Sequence, residues 1–140
     1  MKNQIITLTP EAARLIPYSQ LAVTNINLEA FTTEIERLNA IAAHIPGIKA
    51  TEEMQEHPAV LHYFAGGTDI YICEFDGIDE MFGFTILNGD LECSEFGYTS
   101  LEEIKRIAWF NLDYHFESQS IEFARYKKYP AYFKKPVSAA

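Results

Sequence analysis

Apolar residues recur at three- and four-residue steps through Leu28, Phe31, Ile35, Leu38, Ile41, Ala42 and Ile45. This spacing predicts a helix over Leu28–His44, with Glu29, Glu34, Glu36 and Arg37 mainly on the opposite side. Asn25 or Asn27 is its expected cap, and Pro46-Gly47 ends it. A shorter helix is expected over Thr7–Ile16. Thr9 caps it, Pro10 takes the first helical position, and Ala12, Ala13, Leu15 and Ile16 form the apolar side before Pro17 stops it.

Residues 48–57 are polar and acidic and read as a loop or a loose turn of helix. The period then changes to two. Four runs follow, Ala59–Phe64, Asp69–Phe75, Met81–Leu87 and Leu91–Tyr98, separated by Gly66-Gly67, Asp76-Gly77 and Asn88-Gly89. Such pairs permit the positive φ of tight hairpin turns, so the expected core is a four-stranded antiparallel meander. Ile70 and Ile72 are expected on one face, with Tyr71, Cys73 and Phe75 on the other. Phe82, Phe84 and Ile86 project together. Both faces are thus partly apolar; helices cover at least one, and chain segments or a partner shield the second.

Beyond the meander, Thr99 or Ser100 caps a short helix whose buried stripe is Leu101, Ile104, Ile107 and Ala108. Trp109–Phe116 reads as extended. From Ser120 the chain alternates aromatics with bases. The fold class is therefore α+β: a meander packed with two to three helices over residues 1–120, followed by a basic aromatic tail at 121–140 docked on it.

The 140 residues suffice for one domain with a core of its own, and 48% are hydrophobic. No apolar run is long enough to span a membrane. Pro10, Glu11 and Arg14 interrupt any leader-like core after Lys2, so a cytoplasmic location is expected. Cys73 and Cys93 both read as buried thiols, a disulfide between them being the lesser option.

Charge changes the picture more. The net charge is −9, yet residues 121–140 alone carry +4 from Arg125, Lys127, Lys128, Lys134 and Lys135 against Glu122, which leaves −13 on the first 120. Such a body repels nucleic acid and favours a protein partner with a basic surface. The candidate interaction surface is Asp76, Asp79, Glu80, Glu92 and Glu95. The candidate tail contacts are Arg125, Lys127, Lys128, Tyr129, Lys134 and Lys135. Bases among aromatic rings can bind single-stranded nucleic acid, but docking on acidic protein, in the same chain or another copy, is the better fit.

Chemistry is sparse. His44, His57, His62 and His115 lack the spacing of paired metal ligands, and each reads as structural. Asp76, Asp79 and Glu80 could offer oxygens to a cation, but Asp76-Gly77 already serves a turn. No catalytic residue, metal or cofactor is assigned. A small enzyme with a site near the meander turns and His62 or His115 is the rival class.

Several stretches together resemble an uncharacterised family of small proteins encoded on plasmids, phages and integrative elements. They are Leu8–Pro17, Glu74-Phe75-Asp76-Gly77 with Met81-Phe82-Gly83-Phe84, Glu95-Phe96-Gly97-Tyr98-Thr99-Ser100-Leu101-Glu102-Glu103-Ile104, and Asp113-Tyr114-His115-Phe116. The helix at 28–44 and the basic tail depart from that pattern. The resemblance implies a mobile-element setting and no particular activity. With the acidic body, it suggests a non-enzymatic accessory protein, in its sharpest form an inhibitor of a host nucleic-acid-binding or defence protein.

Overall fold

Strand β3 (Thr68–Phe75) is buried along its whole length and forms the middle of the molecule. In the computed structural model, which describes residues 6–139, it pairs antiparallel with β2 (Leu61–Ala65) and β4 (Glu80–Leu87). Strand β5 (Asp90–Ser100) extends the sheet beyond β4, and the two-residue β6 (Asn111–Leu112) extends it beyond β2. The order is β5-β4-β3-β2-β6, so the expected four strands become five. The extra strand escapes the alternation pattern because only two of its residues pair. A separate two-stranded ladder joins β1 (Pro58–Ala59) to β7 (Gln119–Ser120). Gly66, Gly77 and Gly89 all have positive φ, which the three predicted turns require.

Five α-helices occur among the described residues: α1 (Pro10–Ala13), α2 (Tyr18–Ile26), α3 (Thr32–Ala42), α4 (Leu101–Arg106) and α5 (Ile121–Lys128). Thr9 caps α1, accepting from the Ala12 N–H at 3.1 Å, but α1 ends at Ala13. The expected long helix starts later than its apolar stripe, since Leu28–Phe31 forms a 3₁₀ turn before α3. Pro17 does not isolate the first helix from a loop; it precedes α2 directly. Ser100, not Thr99, caps α4, accepting from the Glu103 N–H at 3.2 Å.

Each face of the sheet has its own cover. Ala12, Leu15, Ile16, Leu38, Leu101 and Ile104 from the helices pack on Leu61, Tyr63, Ile70, Ile72 and Met81. Fully buried Tyr63 satisfies its hydroxyl by donating to the Leu15 carbonyl at 2.7 Å. On the other face, Ile121 and Ala124 of α5 pack with Ala59 on Tyr71, Cys73, Phe84 and Ile86. Burying a side chain the size of Ile121 contributes about 2–3 kcal/mol. Phe75 joins the first face and not that of Tyr71 and Cys73, because the β3–β4 register shifts between Ile72 and Glu74. A bulge adds one residue and reverses the alternation beyond it. Cys73 is buried, but Cys93 is exposed and both thiols are free. No described helix is long and apolar enough to cross a membrane. Lys2 and its neighbours through residue 5, weighed above as part of a leader, lie outside the described residues.

Candidate functional site

Two carboxylates, Asp69 and Glu74, are buried within β3. A buried charge without partners costs several kcal/mol, so each must be met. Glu74 accepts from the Lys49 N–H at 2.8 Å, the Thr51 N–H at 2.9 Å and the Thr51 hydroxyl. Lys49 reaches this position with φ of 76°. Burial pushes the Glu74 carboxyl upward, but these donors outweigh it and hold the group below its ordinary range.

Asp69 builds a larger cluster. One oxygen lies 2.7 Å from His62 Nε2, and the other accepts from Lys128 Nζ at 2.6 Å. His62 Nδ1 faces Asp113 Oδ2 at 3.1 Å, and Asp113 Oδ1 accepts from the His115 N–H at 3.0 Å. Burial again opposes the charge on Asp69, yet hydrogen bonds from His62 and Lys128 and their charges keep its carboxyl below the usual range. The His62 ring stacks on Tyr71 at 4.6 Å and beside Phe64 at 5.6 Å. The four side chains of the cluster come from β2, β3, the segment after β6, and α5.

Beside them opens a cleft of about 410 Å³, lined among others by His62, Tyr71, Asp113, His115, Gln119 and Lys128. Its chemistry is largely spent on itself. Both His62 nitrogens face carboxylate oxygens, so neither offers a free lone pair to a substrate proton or a metal. Burial, reinforced by the nearby Asp69 carboxylate, pushes the Tyr71 phenol well up, so it keeps its proton. Gln119 Oε1 is buried without a hydrogen-bond partner, out of reach of the cleft's solvent. His115 is exposed and lies 3.5 Å from Glu34. Among the described residues, no group of three His, Cys, Asp or Glu side chains could hold a metal ion.

The remaining histidine pair fastens α5. Glu122 accepts from the His57 N–H at 2.8 Å and lies 2.9 Å from His57 Nδ1, next to the β1–β7 ladder. Arg125 lies 4.8 Å from the centre of the Phe84 ring and 4.9 Å from that of Phe133. Burial lowers its pKa, and its Nε has no hydrogen-bond partner. Lys127 lies over Phe123 at 5.0 Å, Tyr129 packs edge-on to Phe133, and Lys134 and Lys135 are exposed.

The five carboxylates of the candidate interaction surface lie at the β3–β4 turn, at the start of β4 and along β5. Asp76 accepts from the N–H groups of Ile78, Asp79 and Glu80, which lower its pKa and shape the β3–β4 turn. Asp79 accepts from the Ser100 hydroxyl at 2.7 Å and the Glu102 N–H at 2.8 Å, supporting the start of α4. Glu80 is exposed and borders a depression of about 320 Å³ with Tyr98 and Glu103. Glu92 and Glu95 are exposed on β5. Glu80 pairs with Ser100 and Thr85 with Glu95, which puts Glu95 roughly 17 Å along the ladder from Glu80.

Sequence reasoning missed Asp69 as a centre. The available signal was a carboxylate opening a run buried on both faces, which demands a cationic partner. It missed Thr51 as the partner of Glu74, and named Lys128 as a tail contact without its partner Asp69, because these contacts span 23 and 59 residues. No family model matches the chain, and neither a curated protein nor a solved structure shows significant similarity to it.

Proposed function

We propose that this chain is a protein-interaction module, not a catalyst, and that it recognises a basic partner through exposed carboxylates. What supports the reading is how charge is distributed between inside and outside. Lys128 is neutralised by Asp69, and Arg125 and Lys127 lie over aromatic rings of the same chain. Glu80, Glu92, Glu95 and Glu103 meanwhile face solvent. The surface offered to a partner is thus acidic, and its attraction to a basic protein acts at long range. The family resemblance gives this a sharper form: an accessory protein of a mobile element that sets carboxylates where a host protein expects phosphates.

The test is capture from cell lysate by the parent chain and by a Glu80→Lys/Glu92→Lys/Glu95→Lys variant that melts at the parent's temperature. Nucleic-acid-binding proteins should be retained by the parent at low salt, released near about 0.5 M salt, and not retained by the variant. Equal capture by both chains, or capture indifferent to salt, would overturn the reading.

A further inference from the structure

Strand β5 is the longest in the sheet, and its outer edge pairs with no strand among the described residues. Its first part is irregular. Between the Leu87–Asp90 and Thr85–Glu95 pairs, β4 advances two residues while β5 advances five. From Glu95 to Ser100 the pairing is regular, so this half presents a straight run of free backbone donors and acceptors. An edge of that kind is a template for another strand.

We infer that this edge pairs antiparallel with β5 of a second copy, about a two-fold axis at Gly97. In a two-fold antiparallel pair, directly opposed residues lie on the same face, so the axis passes through a residue. An axis at Glu95 would set two carboxylates against each other. An axis at Gly97 pairs Glu95–Thr99 within the regular run and sets Glu95 opposite the partner's Thr99. It also sets Phe96 opposite the partner's Tyr98, and Tyr98 is 56% exposed in the single chain. Aromatic pairs directly across two strands are favourable.

Gly97 leaves the axis uncrowded. Gly83, opposite it on β4, has no room for a side chain, since a Cβ there would lie 1.9 Å from the Tyr71 carbonyl oxygen. A Cβ on Gly97 would meet nothing within 4 Å, and its φ is not in the left-handed region. Side chains leave a sheet along its faces, so Gly97 does not obstruct a strand paired at the edge and leaves the face that carries Glu95 and Thr99 open at the axis.

The net charge of −9 on each copy opposes association, so added salt should tighten the pair. Salt has the reverse effect on capture of a basic partner, so this pairing stands or falls apart from the proposed function.

Sedimentation equilibrium on the parent chain should show mass rising with concentration from 16.0 kDa toward twice that value, more readily at high salt. Thr99→Glu sets a carboxylate opposite the partner's Glu95 twice by symmetry and should weaken the pair about tenfold. Thr99→Lys should tighten it by a similar factor. Both variants should melt with the parent at concentrations where the chain is single. A mass of 16.0 kDa at every concentration would overturn the pairing. So would a dimer that both substitutions leave unchanged, which would place the contact elsewhere.

Discussion

Asp69 takes a hydrogen bond from Lys128 and faces a ring nitrogen of His62, and those two partners are 66 residues apart in the chain. Removing its charge leaves Lys128 without its counter-charge, while His62 keeps Asp113. Asp69→Asn should therefore cost about 1–2 kcal/mol in urea unfolding, less than a fully buried pair would because solvent reaches Lys128. A loss below about 1 kcal/mol would show that solvent replaces the carboxylate. The pH dependence has a definite sign. Asp69 and Glu74 are both held below the ordinary carboxylate range, so the unfolded chain binds protons that the folded chain refuses. Their contribution is complete above about pH 5 and is lost as pH falls through their folded values. Urea midpoints should stay level from about pH 7 down to 5 and fall below that, more gently in Glu74→Gln; identical slopes for parent and variant would remove Glu74 from this role. At this scale the turn residues Asp76, Gly77 and Gly89 were legible in the sequence because their role is local. Asp69 and Glu74 were not, because their partners are set by tertiary folding.

The same division holds among elements. The four main strands were readable from period-two alternation and the turns between them. Helix α2 was not, for a physical reason: its useful inward side is polar. Gln20 donates to the Leu112 carbonyl at 2.9 Å and accepts from the Leu112 N–H at 2.6 Å, pairing with β6 much as a strand would. Buried Thr24 bonds the Tyr114 hydroxyl at 2.7 Å, while Val23 and Ile26 face outward. A stripe-based reading finds no face in such a helix. Gln20→Ala should strand both groups of the Leu112 peptide, cost about 1–3 kcal/mol, and speed amide exchange at Leu112. Unchanged exchange there would show that water takes the place of the amide. Helix α5 was also hidden, because the alternation of bases and rings in the tail looks extended until Ser120 is recognised as its cap, accepting from the Phe123 N–H at 3.0 Å.

At the scale of the whole molecule, the acidic character legible from composition is a property of the outside. Three of the tail's five cations are set against the chain's own rings and Asp69; Lys127 lies over Phe123 within α5, while Arg125 on Phe84 and Lys128 on Asp69 fasten that helix to the sheet. Deleting residues 121–140 should uncover Tyr71, Cys73, Phe84 and Ile86 together. The shortened chain should bind the dye ANS strongly and lose its cooperative melt, whereas a parent-like melt without dye binding would show that α5 is dispensable. A role for the outer carboxylates was not legible in the sequence, since solubility draws on the same residues.

The placement of α5 also has a consequence for how the protein is made. Every strand of the sheet is synthesised before the helix that covers its second face, and the β1–β7 ladder closes only once residue 120 has left the ribosome. Until then Phe84 and its neighbours are open to solvent beside an unpaired β5 edge, the combination that makes nascent chains prone to misassembly. Slow translation of residues 121–140 would therefore lengthen the interval in which that face lies uncovered.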